Sequence, residues 1–319
     1  MGATIGIMAG KLYFILGATA CGKAAVGRLL ARRVGGRIVS VDSMKIYRGM
    51  DIGTAKPSAE LRAQIPHYCI DIIEPSENFS VARYVGCADE AVESIRSAGA
   101  VPLAVGGTSL YIKALAEGLF ESPPADPIIR KALRQRGAAE GPGALHDELA
   151  RADPRAASRI DPNDERRIVR ALEVYQTTGR PISELQTQWD SGERRYDCVF
   201  IGLRRRKEDL NRRINARVKR MVEAGLVEEV RGLLARPGAL GLQAAAAVGY
   251  AELIAHFDGR CSLRDAIEQI KISTRQLAKK QRTWHRRFAG VQWFDLAAEA
   301  TVESAADEIM ARIEFETHR

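Results

Sequence analysis

The sequence predicts an α/β fold, a parallel-sheet core carrying a helical insertion domain. Short apolar runs rich in β-formers end on Gly or Asp and alternate with helical stretches, the pattern of strands buried on both faces. A Gly-rich turn lies between the first such run and a helix. A middle segment, 122–190, carries helix starts and stops but no convincing strand.

The first strand is expected at Leu12–Leu16 and is broken by Gly17, with a helix over Lys23–Arg33. Further strands are expected at Arg37–Val41, ending at Asp42, at Val101–Val105, ending in Gly106-Gly107-Thr108, and at Cys198–Leu203. Ligands of such sheets bind where the strands' carboxyl ends meet, so Gly17, Asp42 and Gly106 are expected to converge. Ser122-Pro123-Pro124 interrupts the pattern. Asp161-Pro162-Asn163-Asp164 then starts a helix that Gly179-Arg180-Pro181 stops. The core is assigned to 1–121 and 191–319, the insertion to 122–190.

The 319 residues are 46% hydrophobic and 28% charged, a globular composition. No apolar run approaches the ~20 residues that span a bilayer. Met1–Gly10 has no basic start of a secretory signal, and five scattered cysteines without a C-x-x-C suggest neither a disulfide scaffold nor a Cys-based zinc site. A reducing cytoplasm is the expected location. The net charge is +8, yet Arg204–Arg220 and Lys271–Arg287 each carry +7, so two basic segments sit on an otherwise mildly acidic chain. That distribution suits a polyanion, although solvated helix faces would look the same.

One helix is expected over Glu208–Val230, with Leu210, Ile214, Val218 and Met221 on its buried face. On that wheel Arg217 borders the buried face, while Arg212 and Lys219 point away. Over Arg264–Phe288, the positions Ile267, Ile270, Thr274, Leu277, Gln281, Trp284 and Phe288 form a stripe expected to pack on the core. The scattered histidines His67, His146, His256 and His285 show no metal-ligand spacing.

The strongest chemical signal is Gly17-Ala18-Thr19-Ala20-Cys21-Gly22-Lys23-Ala24, a phosphate-cradling loop between strand and helix, which makes the core P-loop NTPase-like. Its backbone N–H groups and the helix N-terminus attract an anion, and Lys23 neutralises it. The motif normally closes on a Ser or Thr that holds Mg²⁺; here Ala24 stands there. Asp42, at a strand end beside the loop, suits a general base, a water-mediated Mg²⁺ contact or a plain helix cap. The Val101–Val105 strand leads to Gly-Gly-Thr rather than Asp, which argues against an ordinary NTP hydrolase.

Over nearly its whole length the sequence resembles the tRNA dimethylallyltransferases, also called tRNA isopentenyltransferases. The matching stretches are Gly17–Lys23, Asp42–Pro57, Pro66–Pro75, Val105–Tyr111, Ala125–Pro127 with Arg130, and Asp161–Thr178. They continue through Arg213–Met221, Gly225–Val230, Val248–Tyr250, and Thr274–Lys279 with Gln281 and Trp284. No C-terminal zinc finger like that of eukaryotic relatives follows, so the chain looks like the bacterial form.

The resemblance implies transfer of the dimethylallyl group from its diphosphate to N6 of adenosine 37, in tRNAs that read codons starting with U. The loop residues Gly17 to Ala24 would hold the diphosphate. Asp42 would be the base, and Lys23, Thr19 and Arg217 would stabilise the leaving group. The anticodon stem-loop would meet Asp42, Ser43, Met44, Lys45, Thr108, Arg130, Arg166, Arg167, Ile168, Val169 and Arg170. On structural grounds alone, the three arginines of 166–170 also fit a solvated face, and Thr108 a turn hydroxyl. Mg²⁺ is expected to be held mainly through the diphosphate, with no metal ligands from the protein, and the chain is expected to act as a monomer. No Asp-Asp pair occurs, so the Asp-rich clamp of other prenyl enzymes is missing and the loop must serve instead. Besides Ala24, the sequence departs from the family at Ala18, Cys21, Lys45 and Ala251. A small-molecule kinase, or a tRNA-binding relative with a decayed loop, are the rival expectations.

Overall fold

The computed structural model describes residues 8–119, 123–186, 189, 193–238 and 240–316. The chain forms two compact units: Met1–Ala116 with Arg195–Arg319, and Glu117–Arg194 between them. The expected boundaries at 121/122 and 190/191 fall outside the described residues.

The larger unit is built on six strands: β1 (Met8–Gly17), β2 (Gly36–Val41), β3 (His67–Tyr68), β4 (Val101–Gly106), β5 (Tyr196–Arg204) and β6 (Val291–Asp295). Their order is β3-β2-β4-β1-β5-β6, and every pairing is parallel. Leu12–Leu16 is fully buried, as is most of β2 and β4, because helices cover both faces. The four expected strands are present. The two outer ones, β3 and β6, were missed for a reason. One is two residues long, and the other is a half-buried edge strand, VQWFD, without an unbroken apolar run.

Register decides where the site lies. Leu16 and Val41 both pair with Gly106, and Gly17 pairs with Leu203, so the strand ends form one line. Gly106 is required there, since a Cβ would stand 2.0 Å from the Val41 carbonyl oxygen. The next strand in sequence lies on one side of β1, and β5 lies on the other. The carboxyl end of β1 is therefore a topological switch point, where open α/β sheets bind ligands.

The expected helix Glu208–Val230 is two helices, Lys207–Glu223 and Leu226–Leu234. Gly225, in the left-handed region at φ 98°, separates them. Leu210, Ile214 and Val218 are buried as the wheel required, and Met221 is half-buried. The helix Leu263–His285 buries Ala266, Ile270, Thr274, Ala278 and His285. Two members of the expected stripe do not: Leu277 and Trp284 are 37% and 39% exposed. The buried line drifts around the helix axis because 3.6 residues per turn do not match a fixed 3/4 spacing over six turns.

The smaller unit is helical among its described residues, with helices at Pro127–Glu140, Pro142–Ala152, Pro154–Ala157, Glu165–Thr178 and Ile182–Leu185. Asp164 caps the fourth of these through the Arg167 N–H, and Gly179 ends it. Leu133, Leu145, Leu149, Ile168, Val169 and Leu172 make its core. Glu173 is wholly buried there. It accepts the Arg130 Nε and Nη2 at 2.9 Å each, the Arg170 guanidinium, and the Asp126 N–H at 2.7 Å.

Candidate active site at the carboxyl edge of the sheet

The loop after β1 turns tightly. The Cys21 N–H donates to the Ala18 carbonyl at 3.2 Å, and Ala20 sits in the left-handed region at φ 64°. The helix Lys23–Val34 then starts with no side chain capping its first turn, which leaves N–H groups for an anion. Ala18 and Cys21 bury their side chains, 4% and 1% exposed, so they contribute backbone only. Lys23 Nζ donates to the Ala18 carbonyl at 3.3 Å.

Three residues that sequence reasoning did not assign to the loop hold it in shape. Gln281 Oε1 accepts the Thr19 N–H at 2.7 Å, and its Nε2 donates to the Gly107 carbonyl at 3.0 Å. Arg213 Nε donates to the Ala20 carbonyl at 3.0 Å, and Arg205 Nε to the Cys21 carbonyl at 2.9 Å. With the Ala20 and Cys21 carbonyls tied by these arginines, the loop keeps amides for a ligand. The Cys21 amide, held by the Ala18 carbonyl, is one exception, and the Thr19 amide, taken by Gln281, is the other. The Thr19 hydroxyl instead accepts the Arg217 Nη1 at 3.3 Å.

A signal for Gln281 was present: it is a polar residue on a mostly apolar stripe. Gln281→Leu removes the partner of one donor and one acceptor in a partly buried place. The expected cost is about 1–3 kcal/mol for the unsatisfied groups, read as a lower melting temperature in thermal denaturation.

Asp42 follows β2 and faces the same edge. Its Oδ1 accepts the Met44 N–H at 2.9 Å and the Lys45 N–H at 3.3 Å, a tight Asx turn that fixes the carboxylate. Thr108 Oγ1 accepts the Ser43 N–H at 3.0 Å and lies 3.4 Å from the Ser43 hydroxyl. Thr108 thus ties the turn after β4 to the turn after β2. Lys23, Arg217 and Lys45 all feel the Asp42 charge. Burial pushes the Lys23 ammonium and the Arg217 guanidinium below their usual ranges. Among the described residues, Lys23 and Arg217 have no ion-pair partner within 4.0 Å. The site therefore concentrates unpaired positive charge beside one carboxylate.

The basic segments are less free than their composition suggests. In the first, Arg205, Arg213 and Arg217 serve the loop, and Arg204 pairs with Asp295 at 2.5 Å. Arg212 and Lys219 do point outward, with side chains 70% and 77% exposed. In the second, Lys271 pairs with Glu268 and Arg275 reaches Asn215.

The remaining candidates lie in the helical unit. Arg166 and Arg167 are exposed, the latter paired with Asp164. Arg130 and Arg170 are drawn onto Glu173, with side chains 34% and 26% exposed. Ile168 and Val169, at 0% and 2% exposure, face that unit's core, and their inclusion among nucleic-acid contacts is corrected. A contiguous motif on a helix necessarily turns some members inward.

Comparison with known proteins shows what the chain is similar to. The family model described as IPP transferase matches residues 45–288. A tRNA dimethylallyltransferase of Geobacter sulfurreducens is 48% identical over 288 residues, covering 90% of this chain and 93% of its own length. One from Geobacillus thermodenitrificans is 45% identical over 310 residues, covering 96% and 97%. Among solved structures, the full-length tRNA isopentenylpyrophosphate transferase of Bacillus halodurans aligns with a TM-score of 0.68 at 39% identity, over 94% of this chain and 96% of that one. A eukaryotic dimethylallyltransferase acting on tRNA aligns with a TM-score of 0.73 at 28% identity, over 90% and 74%.

Proposed function

The chain belongs to the IPP transferase family, and from that premise we propose that it transfers the dimethylallyl group of dimethylallyl diphosphate to N6 of adenosine 37 in tRNAs reading codons that start with U. The observation that carries this reading is a single carboxylate, Asp42, fixed by its own turn at the mouth of a phosphate loop with Lys23 and Arg217 unpaired beside it.

An exocyclic adenine amine is a weak nucleophile because its lone pair is delocalised into the ring. A base is needed as the new bond forms, and Asp42 is placed for it. The N6–C1 bond forms, the C1–O bond to diphosphate breaks, and the N6 proton passes to Asp42. The bonding pair leaves with the diphosphate. Lys23, Arg217, the Thr19 hydroxyl and the free loop amides stabilise the charge that builds there. The adenine must leave its stack to reach this site, as other base-modifying enzymes require. Asp42, Ser43, Met44 and Thr108 in one unit, and Arg130, Arg166, Arg167 and Arg170 in the other, are the proposed contacts to the anticodon stem-loop. A tRNA substrate implies a cytoplasmic setting, and a monomer suffices for this chemistry. Among the described residues, no helix is long and apolar enough to cross a membrane.

Bound Mg²⁺ would share the charge of the diphosphate. Ala24 has no hydroxyl to hold it, and among the described residues no three His, Cys, Asp or Glu side chains gather as a metal site. When bound, the ion would be held mainly through the diphosphate. Ala24→Thr is expected to raise turnover or leave it unchanged, and chelation to lower it in both proteins. Steady-state rates across a Mg²⁺ titration check this, and a clear loss in the variant contradicts it.

The test of the reaction class is diphosphate release. Release from dimethylallyl diphosphate that requires tRNA supports a prenyl transfer. ADP formation from ATP without tRNA would instead mark a small-molecule kinase. Binding of tRNA with no release would mark a decayed loop.

A further inference from the structure

Lys45 plays no part in the mechanism above. Both of its backbone polar groups are fixed. The N–H donates to Asp42 Oδ1 at 3.3 Å, and the carbonyl accepts the Asp71 N–H at 3.1 Å. Asp71 is itself anchored by Lys56 at 2.6 Å and Arg62 at 2.7 Å. The side chain therefore springs from rigid backbone at the carboxyl end of β2.

The charged groups around its ammonium are Asp42 from its own turn, Lys23 and Arg28 from the helix after the loop, and Arg217 from the helix Lys207–Glu223. His67 on β3 also feels Lys45, but burial pushes that imidazole down to about 4, so it is neutral near pH 7. Among the described residues, the Lys45 ammonium has no hydrogen-bond or ion-pair partner. Three half-buried cations, Lys23, Lys45 and Arg217, thus share one carboxylate, with no ion pair among them. Such crowding of like charge costs free energy unless a polyanion relieves it. The phosphate loop opens on the same cluster.

We propose that Lys45 is a third cation of the diphosphate site, acting with Lys23 and Arg217 on the donor's leaving group rather than on tRNA. This rests on the reading of the loop as a diphosphate cradle. Burial lowers the Lys45 ammonium to about 8, with Lys23, Arg217 and Arg28 adding to the fall and Asp42 opposing it. The protonated form is the one that attracts an anion. It prevails below pH 8 in the free protein and is lost above, so diphosphate affinity falls as pH rises through that value.

Calorimetric titration with inorganic diphosphate tests this on the wild-type chain, K45Q and K45R, at pH 7 and pH 9, with tRNA affinity measured alongside by filter binding. At pH 7, K45Q is expected to bind diphosphate roughly tenfold more weakly with unchanged tRNA affinity, while K45R binds as the wild type does. Between pH 7 and 9 the wild type is expected to lose more affinity than K45R, whose charge persists; the anion's own protonation is common to both. Equal diphosphate binding by wild type and K45Q overturns the proposal. So does a loss confined to tRNA, which would put Lys45 on the nucleic acid. A wild-type chain that binds no diphosphate at all removes the cradle reading and the proposal with it, an outcome distinct from the other two.

Discussion

Asp42→Asn is expected to lower the transfer rate by about 10²–10⁴-fold, the contribution of a positioned general base, while tRNA and diphosphate still bind. Asparagine is the right replacement because the carboxylate also has a structural duty. Its Oδ1 accepts the Met44 and Lys45 amides, and an amide oxygen can do the same. Asp42→Ala removes both functions. It is expected to abolish transfer and also to loosen the turn that the Thr108 hydroxyl holds through Ser43. The difference between the two variants separates proton transfer from positioning. Single-turnover rates with prebound tRNA give the chemical step, and filter binding gives the affinity. Turnover retained in Asp42→Asn removes Asp42 from the role of base.

Arg217→Gln is expected to lower kcat by about 10²–10³-fold, the size seen when one group facing a developing charge is removed. Among the described residues the guanidinium reaches only the Thr19 hydroxyl, at 3.3 Å, so little of its hydrogen-bonding capacity is spent on structure. Burial lowers its pKa, and the Asp42 charge opposes that fall. The loss should therefore fall on kcat, with a small change in melting temperature. Arg217→Lys keeps the charge but not the fork and is expected to recover part of the rate. Rates and melting temperatures of the two variants check this. A large drop in stability with normal kcat in the surviving protein would make Arg217 structural.

Much of this site can be read along the chain, because its parts are local. The loop Gly17–Lys23 declares itself through fixed spacing between a strand and a helix. Asp42 stands at a strand end, and parallel register carries it to the same edge as Gly17 and Gly106. Helical periodicity alone turned Arg217 inward. What stayed hidden depends on contacts between distant segments. Gln281 bridges Thr19 and Gly107 from 262 and 174 residues away. Arg205 and Arg213 looked like members of a phosphate-binding stripe, but they serve carbonyls of the loop. Glu173 gathers Arg130 and Arg170, which a motif names but cannot pair. The break at Gly225 was legible as a residue, though apolar periodicity ran through it and masked the turn. Edge strand β6 lacks the apolar run that marks a central strand, so pattern reading favoured the interior of the sheet.

The most direct test of the account is nucleoside mass analysis of unmodified tRNA after incubation with the purified chain, dimethylallyl diphosphate and Mg²⁺. The account predicts N6-dimethylallyladenosine at position 37, absent without the donor and strongly reduced with Asp42→Asn. Intact tRNA binding with no modified nucleoside, or modification undiminished in Asp42→Asn, would contradict it.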